Sequence, residues 1–334
     1  MIARPSQFVM VFAGALLMSV AACSREPAAR GPAASDAATA TSASAAPGTA
    51  ALPGAPTTSA TQDAALVISD GSPRIADSPG GVHIQYRVYG RGEPLVVLIH
   101  GWSCDSNYWS AQVADLKTRH TVVTVDLAGH GGSGANRSDW SMPAFAADVA
   151  AVVEVLKDHP KVVLVGHSMG GPVAIEAARR IGPRVVGVIG LDTLKNVGLP
   201  QPSAAETEKR LAAFEADFIG STRGLVGATM FTAKSDPVLV RRIVDDMSQA
   251  PPAVAIPAIR QLNAWDGVAA LKALPVPVVV INSDLNGVTD EARISSFAPR
   301  FRVITVAGLG HFLMMEDPTR VNPILDAQVL ALSR

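Results

Sequence analysis

The residues Gly166-His167-Ser168-Met169-Gly170 close an apolar run, Val162-Val163-Leu164-Val165, and lead into Pro172-Val173-Ala174-Ile175-Glu176-Ala177-Ala178-Arg179-Arg180. A serine becomes a nucleophile when its hydroxyl is held exposed beside a base that can take its proton. A β-branched strand feeding a serine between glycines is the sequence form of a nucleophile elbow, a sharp strand-to-helix turn that exposes the hydroxyl. Glycine is needed on both sides because the turn packs backbone on backbone and leaves no space for a Cβ. The segment that follows reads as a helix, with proline in its first turn and Arg179 and Arg180 in its last. In a chain with 28 glycines the pentapeptide arises easily by chance, so its flanking strand and helix carry the weight.

Taking a serine proton near neutral pH calls for a histidine. Of the seven histidines, His311 is best placed, in Ala307-Gly308-Leu309-Gly310-His311-Phe312, where glycines let a loop curl over a sheet edge after the last strand. His83 falls on a strand, His120 before one, and His159 in a helix-to-strand turn. Gly129-His130-Gly131-Gly132-Ser133-Gly134 mimics a dinucleotide fingerprint, but no helix opens there, and Asn136 to Pro143 intervene. Those glycines read as a wide turn, with His130 a structural or rim residue rather than a base. No HExxH sequence or His/Cys cluster points to a metal, and no cofactor is expected.

The elements that must position these residues alternate along the chain. Val82 to Val88 alternates apolar and polar and reads as an antiparallel edge strand. Unbroken apolar runs follow at Leu95 to Ile99, Val122 to Val125, Val162 to Val165, Val185 to Leu191, Val276 to Ile281 and Phe301 to Val306. Continuous apolarity means burial on both faces, so the expected class is α/β: a mostly parallel sheet with helices on both faces. Helical patterns fall at Pro143 to Leu156, with Ser141 as N-cap, at Ala204 to Ile219, at Pro237 to Met247 and at Pro318 to Leu332. In such sheets chemistry gathers at the carboxyl ends of the strands.

Composition narrows the class further. The 334 residues carry a formal net charge of −1, with 48% hydrophobic and 17% charged residues and no basic run of five, which excludes electrostatic capture of nucleic acid. Arg4, the apolar stretch Phe8 to Leu17 and Val20-Ala21-Ala22 form an export signal over residues 1–22. Val20-Ala21-Ala22-Cys23 also resembles the bacterial lipobox, which implies acylation of Cys23, a membrane contact through a lipid anchor, and an address at the cell envelope, with Ser24 resembling outer-membrane forms. Residues 23–64 are rich in Ala, Pro, Ser, Thr and Gly and read as a flexible tether of roughly 40 residues. The remaining body, 65–334, contains one cysteine, Cys104, so no disulfide is available to it and its core must hold it together.

The run Leu95 to Ile99 is followed by His100-Gly101-Trp102, and here the chain resembles the α/β-hydrolase family, in the expected order from about Val82 to Leu330. The resemblance implies an oxyanion hole made by the backbone N–H groups of Trp102 and Met169, donors worth about 3 kcal/mol each in such sites. It also implies an orienting acid after the strand Val276 to Ile281, where Asp284 stands; Asn286 occupies a commoner family position and cannot supply the charge. Asp192, after Val185 to Leu191, is the alternative acid. The stretch from about 193 to 274 corresponds to the family's helical lid, whose Phe and Met residues imply a small, largely apolar substrate. The activity implied is hydrolysis of a carboxylic ester or related acyl bond through Ser168, His311 and an aspartate. C–C bond hydrolases, lactonases and cofactor-free haloperoxidases share the pattern, whereas haloalkane dehalogenases and epoxide hydrolases use aspartate in place of serine. A ligand receptor on a hydrolase body is the reading from another class, and the sequence leaves the oligomeric state open.

The lipobox reading is checked by mass spectrometry of the mature protein. A diacylated or triacylated Cys23 at the N-terminus is expected, with Cys23→Ser releasing soluble protein or stopping processing; an unmodified N-terminus at another residue overturns it.

Overall fold

The computed structural model describes residues 70–334, so the signal, Cys23 and the tether expected upstream lie outside the described residues. Eight strands form one sheet: β1 (Arg74–Ser78), β2 (Val82–Tyr89), β3 (Leu95–Ile99), β4 (Thr121–Val125), β5 (Val162–His167), β6 (Val185–Leu191), β7 (Val278–Ser283) and β8 (Phe301–Val306). Their spatial order is β1-β2-β4-β3-β5-β6-β7-β8, with β1, β2 and β4 paired antiparallel and the remainder parallel. The helices are α1 (Ser110–Leu116), α2 (Met142–Val155), α3 (Gly170–Ile181), α4 (Ala204–Ala216), α5 (Phe218–Thr229), α6 (Pro237–Met247), α7 (Pro252–Ala264), α8 (Gly267–Lys272), α9 (Glu291–Ser295), α10 (Leu313–Glu316) and α11 (Pro318–Ser333). Helices α2 and α3 cover one face and α1 with α11 the other. Every residue of β3, β4 and β5 is therefore buried, as continuous apolar strands require.

Three expectations are corrected. The strand from Val82 is not the edge, because β1 pairs with it through the register Arg74↔Tyr86 to Ser78↔Val82. The helix read from Ala204 to Ile219 is two helices, since the Asp217 side chain accepts the Gly220 N–H at 2.9 Å and starts a new turn. The seventh strand starts two residues late and runs on to Ser283, so that Asn282 and Ser283 belong to the buried strand end and not to a loop.

The order of strands places the chemistry. From β3 the chain moves to one side, to β4, and then crosses to the other, to β5, so β3 and β5 flank a topological switch point. Ile99 is in register with Gly166, which sets the loop after β3 beside the turn after β5. That turn is as tight as its glycines imply: a Cβ on Gly166 would lie on the Gly170 carbonyl, and one on Gly170 would lie on the Ile99 carbonyl. The five helices α4 to α8 are inserted between β6 and β7, with α7 packed on α2 and α8 on α3.

Gly166→Ala should therefore cost several kcal/mol or prevent folding, since backbone cannot yield as a side chain does. Gly224→Ala in α5, where an added Cβ meets nothing within 4 Å, should be neutral or stabilise by about 0.5–1 kcal/mol. Denaturant unfolding of the two variants reads the contrast.

Candidate active site

Ser168 follows β5 with φ +52°, a left-handed backbone that a non-glycine residue adopts at a cost on the order of 1–2 kcal/mol. Three hydrogen bonds hold it there. Its N–H donates to the Leu191 carbonyl at 3.1 Å, and its own carbonyl accepts from Gly171 N–H at 3.0 Å and from Thr193 Oγ1 at 2.6 Å. The residue between those two clamps, Leu191 and Thr193, is Asp192. The elbow serine and the end of β6 are thus fixed to each other through the backbone on both sides of a carboxylate.

Asp192 is buried and itself left-handed, at φ +43°. Its Oδ2 is 2.7 Å from Nδ1 of His311, and its Oδ1 accepts from the N–H and Oγ of Ser283, each at 2.8 Å. The Lys195 ammonium stands 2.9 Å from the same Oδ1. Burial alone would push this carboxyl up, but the hydrogen bond and charge of His311, joined by Lys195, outweigh it and hold Asp192 down at about 2. An ionised carboxylate only accepts, so Nδ1 of His311 carries the proton and Nε2 is left as the basic nitrogen.

The structure thus puts Asp192, and not Asp284, on the imidazole, which reverses the expected preference. Asp284 is exposed, and its Oδ1 accepts the Gly308 N–H at 2.7 Å. The cause is the longer β7: its last two residues turn inward to hold the Asp192 turn, with Asn282 bonded to both the N–H and the carbonyl of Thr193 at 3.0 and 2.9 Å. Asn282, Ser283, Thr193 and Lys195 were not singled out from the sequence. The available signal was two polar residues, Asn282 and Ser283, directly continuing an apolar strand, where buried polar groups demand partners.

His311 is fixed through its backbone as well. Its N–H donates to the Met230 carbonyl at 2.8 Å, and its carbonyl accepts from Nε2 of His167 at 3.0 Å. The two imidazole rings lie 4.7 Å apart, so the residue next to Ser168 is in contact with His311. Burial, then the charge of His311, push His167 down to about 3, and burial followed by His100 does the same to His130. His130 donates from Nδ1 to the Ala128 carbonyl at 2.9 Å. His100 donates to the Gly101 carbonyl and accepts from the Leu127 N–H at 3.0 Å, tying the loop after β3 to the loop after β4.

Gly101 packs on the Ser168 side chain, where an added Cβ would sit 3.1 Å from the serine Cβ. Trp102 is buried: its ring lies 6.1 Å from both Phe214 and Phe218, and its Nε1 donates to the Ala255 carbonyl at 2.7 Å. Met169 is also buried, at the N-terminus of α3, where the helix end favours negative charge. The inserted helices therefore contact the site at Trp102 and at His311. A cavity of about 200 Å³ follows the seam, between Ser103, Asp105 and His130 below and Asp246 and Pro251 above. Tyr108 crosses that seam with its hydroxyl on Asp246 Oδ2 at 2.6 Å. Among the described residues no group of three or more His, Cys, Asp or Glu side chains is arranged to hold a metal ion.

Residues 96–324 match the model of the alpha/beta hydrolase family. The chain belongs to that family. This hydrolase is 30% identical over 268 residues to an uncharacterized protein of Mycobacterium tuberculosis, covering 74% of this chain and 78% of the relative. It is 31% identical over 197 residues to a pimeloyl-(acyl-carrier protein) methyl ester esterase of Methylococcus capsulatus, covering 57% of this chain and 74% of the relative. The solved esterase of Thermogutta terrifontis shares the fold at a TM-score of 0.69, with 24% identity, over 79% of this chain and all of that one.

The buried neutral histidines make the stability of the hydrolase acid-sensitive. His167 and His130 titrate near 6.5 when unfolded and at about 3 when folded, so the unfolded chain binds more protons between those values. Stability is full above pH 6.5 and falls as pH drops toward 3, by about 1.4 kcal/mol per pH unit for each histidine. Urea midpoints between pH 7 and pH 4.5 should follow this slope, and His130→Asn should make it shallower.

Proposed function

We propose that this protein is a serine hydrolase that cleaves a carboxylic ester or related acyl bond of a small, largely apolar substrate through an acyl-enzyme. The observation that carries the reading is the 2.7 Å bond between His311 and Asp192, from a turn whose two neighbours clamp the Ser168 backbone. In this scheme His311 Nε2 takes the Ser168 proton as Oγ attacks the acyl carbon. Asp192 fixes the tautomer through Nδ1–H and stabilises the imidazolium. The amides of Trp102 and Met169 hold the developing oxyanion. The protonated His311 then gives its proton to the leaving alcohol, and a water activated by the same base frees the acyl group. The likeness to an esterase and the family membership support the class of bond. A lipid anchor at Cys23, supported by Val20-Ala21-Ala22-Cys23, would place this activity at a membrane surface.

Turnover of a panel of short-chain nitrophenyl esters tests the reaction. Ser168→Ala should lose about 10⁶ in rate together with fluorophosphonate labelling, while still folding. Asp192→Asn should lose about 10⁴ in kcat, and Asp284→Asn should keep its turnover and lose at most about 1 kcal/mol of stability. Undiminished hydrolysis by Ser168→Ala ends the covalent mechanism, and a dead Asp284→Asn beside an active Asp192→Asn ends the assignment of the acid.

A further inference from the structure

The carboxylate of Asp192 is shared between an imidazole and an ammonium. Oδ2 faces the imidazole at 2.7 Å, while Oδ1 faces the Lys195 ammonium at 2.9 Å. Lys195 comes back onto Asp192 because the turn between them is left-handed at both Asp192, φ +43°, and Leu194, φ +61°. Its ammonium also donates to the Ser283 carbonyl at 2.9 Å, to Ser283 Oγ at 3.2 Å and to the Leu285 carbonyl at 2.9 Å. The turn is held from α9 as well, where Arg293 donates to the carbonyls of Lys195 and Val197. With its side chain only 16% exposed, this lysine is a fixed charge and not a solvated one.

A fixed charge there has two effects on the base. The ammonium pins Oδ1, which leaves Oδ2 as the oxygen that meets Nδ1 and so orients the ring. It also offsets part of the negative charge that would otherwise favour the imidazolium at His311. We propose that Lys195 is a positioning residue of this hydrolase that orients Asp192 and sets how far into acid the base still works. This rests on the roles given above to Ser168, His311 and Asp192. The other titratable or charged groups around the pair are His167 from β5, Asp284 after β7, Arg293 from α9 and Glu316 of α10, which packs against Gly310. Their number is unchanged when Lys195 alone is replaced.

The test is the pH profile of kcat/KM for a nitrophenyl ester in the full chain with Lys195→Met, Lys195→Gln and Lys195→Arg. The midpoint of the acid limb is expected to rise by about one pH unit in Met and Gln, which remove the charge, and to return toward the wild-type value in Arg, which restores it. Gln retains amide donors toward the Ser283 carbonyl and serves where Met fails to fold. NMR titration of the His311 ring should show the same upward movement. An acid-limb midpoint that stays put in a folded, Ser168-dependent Lys195→Gln or Lys195→Met enzyme overturns the role of Lys195. Turnover that survives Ser168→Ala overturns the triad reading instead, so the two failures are told apart.

Discussion

Everything at the site depends on a single carboxylate held in a left-handed turn. Asp192 is buried, yet it accepts from His311 and from the amide and hydroxyl of Ser283, and it faces an ammonium. A buried charge with fewer partners would neutralise itself by taking up a proton. Because all its partners are in place it stays ionised, and an ionised acceptor leaves the imidazole only one usable tautomer. The chemistry of Nε2 thus follows from hydrogen bonds made on the far side of the ring. The same turn also clamps the serine, through Leu191 on one side and Thr193 on the other. Ser168, His311 and Asp192 are all tied to one short piece of backbone at the end of β6.

The strain stored there is borne by the sheet. Ser168, Asp192 and Leu194 all have positive φ without being glycine. Such residues persist only when the surroundings leave no alternative. Here the surroundings are the ends of β5, β6 and β7, in register from Val163↔Gly187 to His167↔Leu191 and from Val188↔Val278 to Leu191↔Ile281. The parallel core, mostly Val, Ile and Leu with its polar residues at the strand ends beside the site, holds three unfavourable backbones at its rim.

Much of this was legible in the sequence. The apolar runs read as parallel strands because burial on both faces leaves no polar alternation, and five of the six begin within one residue of the observed strand. The elbow was legible because its glycines are a steric demand. His311 was legible because it is the histidine that follows the last strand in a loop with glycines to bend it. Which aspartate meets His311 was not legible, for a physical reason: two aspartates each follow a strand, and what separates them is where β7 ends. Pro277 delays the start of β7, and Asn282 and Ser283 extend it inward, which hands the partners to Asp192 and leaves Asp284 to hold the Gly308 amide. Strand limits of one or two residues are set by tertiary pairing, which no local pattern encodes. The edge strand β1 was missed for a similar reason. Arg74-Ile75-Ala76-Asp77-Ser78 has the propensity of a loop and becomes a strand only because β2 presents an open edge to it.

The bond from the His311 amide to the Met230 carbonyl joins the His311 loop to the inserted helices at the end of α5. Met230 is the C-cap residue of that helix, so any outward swing of α5 pulls on the loop that carries the imidazole. The position of the His311 ring is thus mechanically tied to the position of the inserted helices.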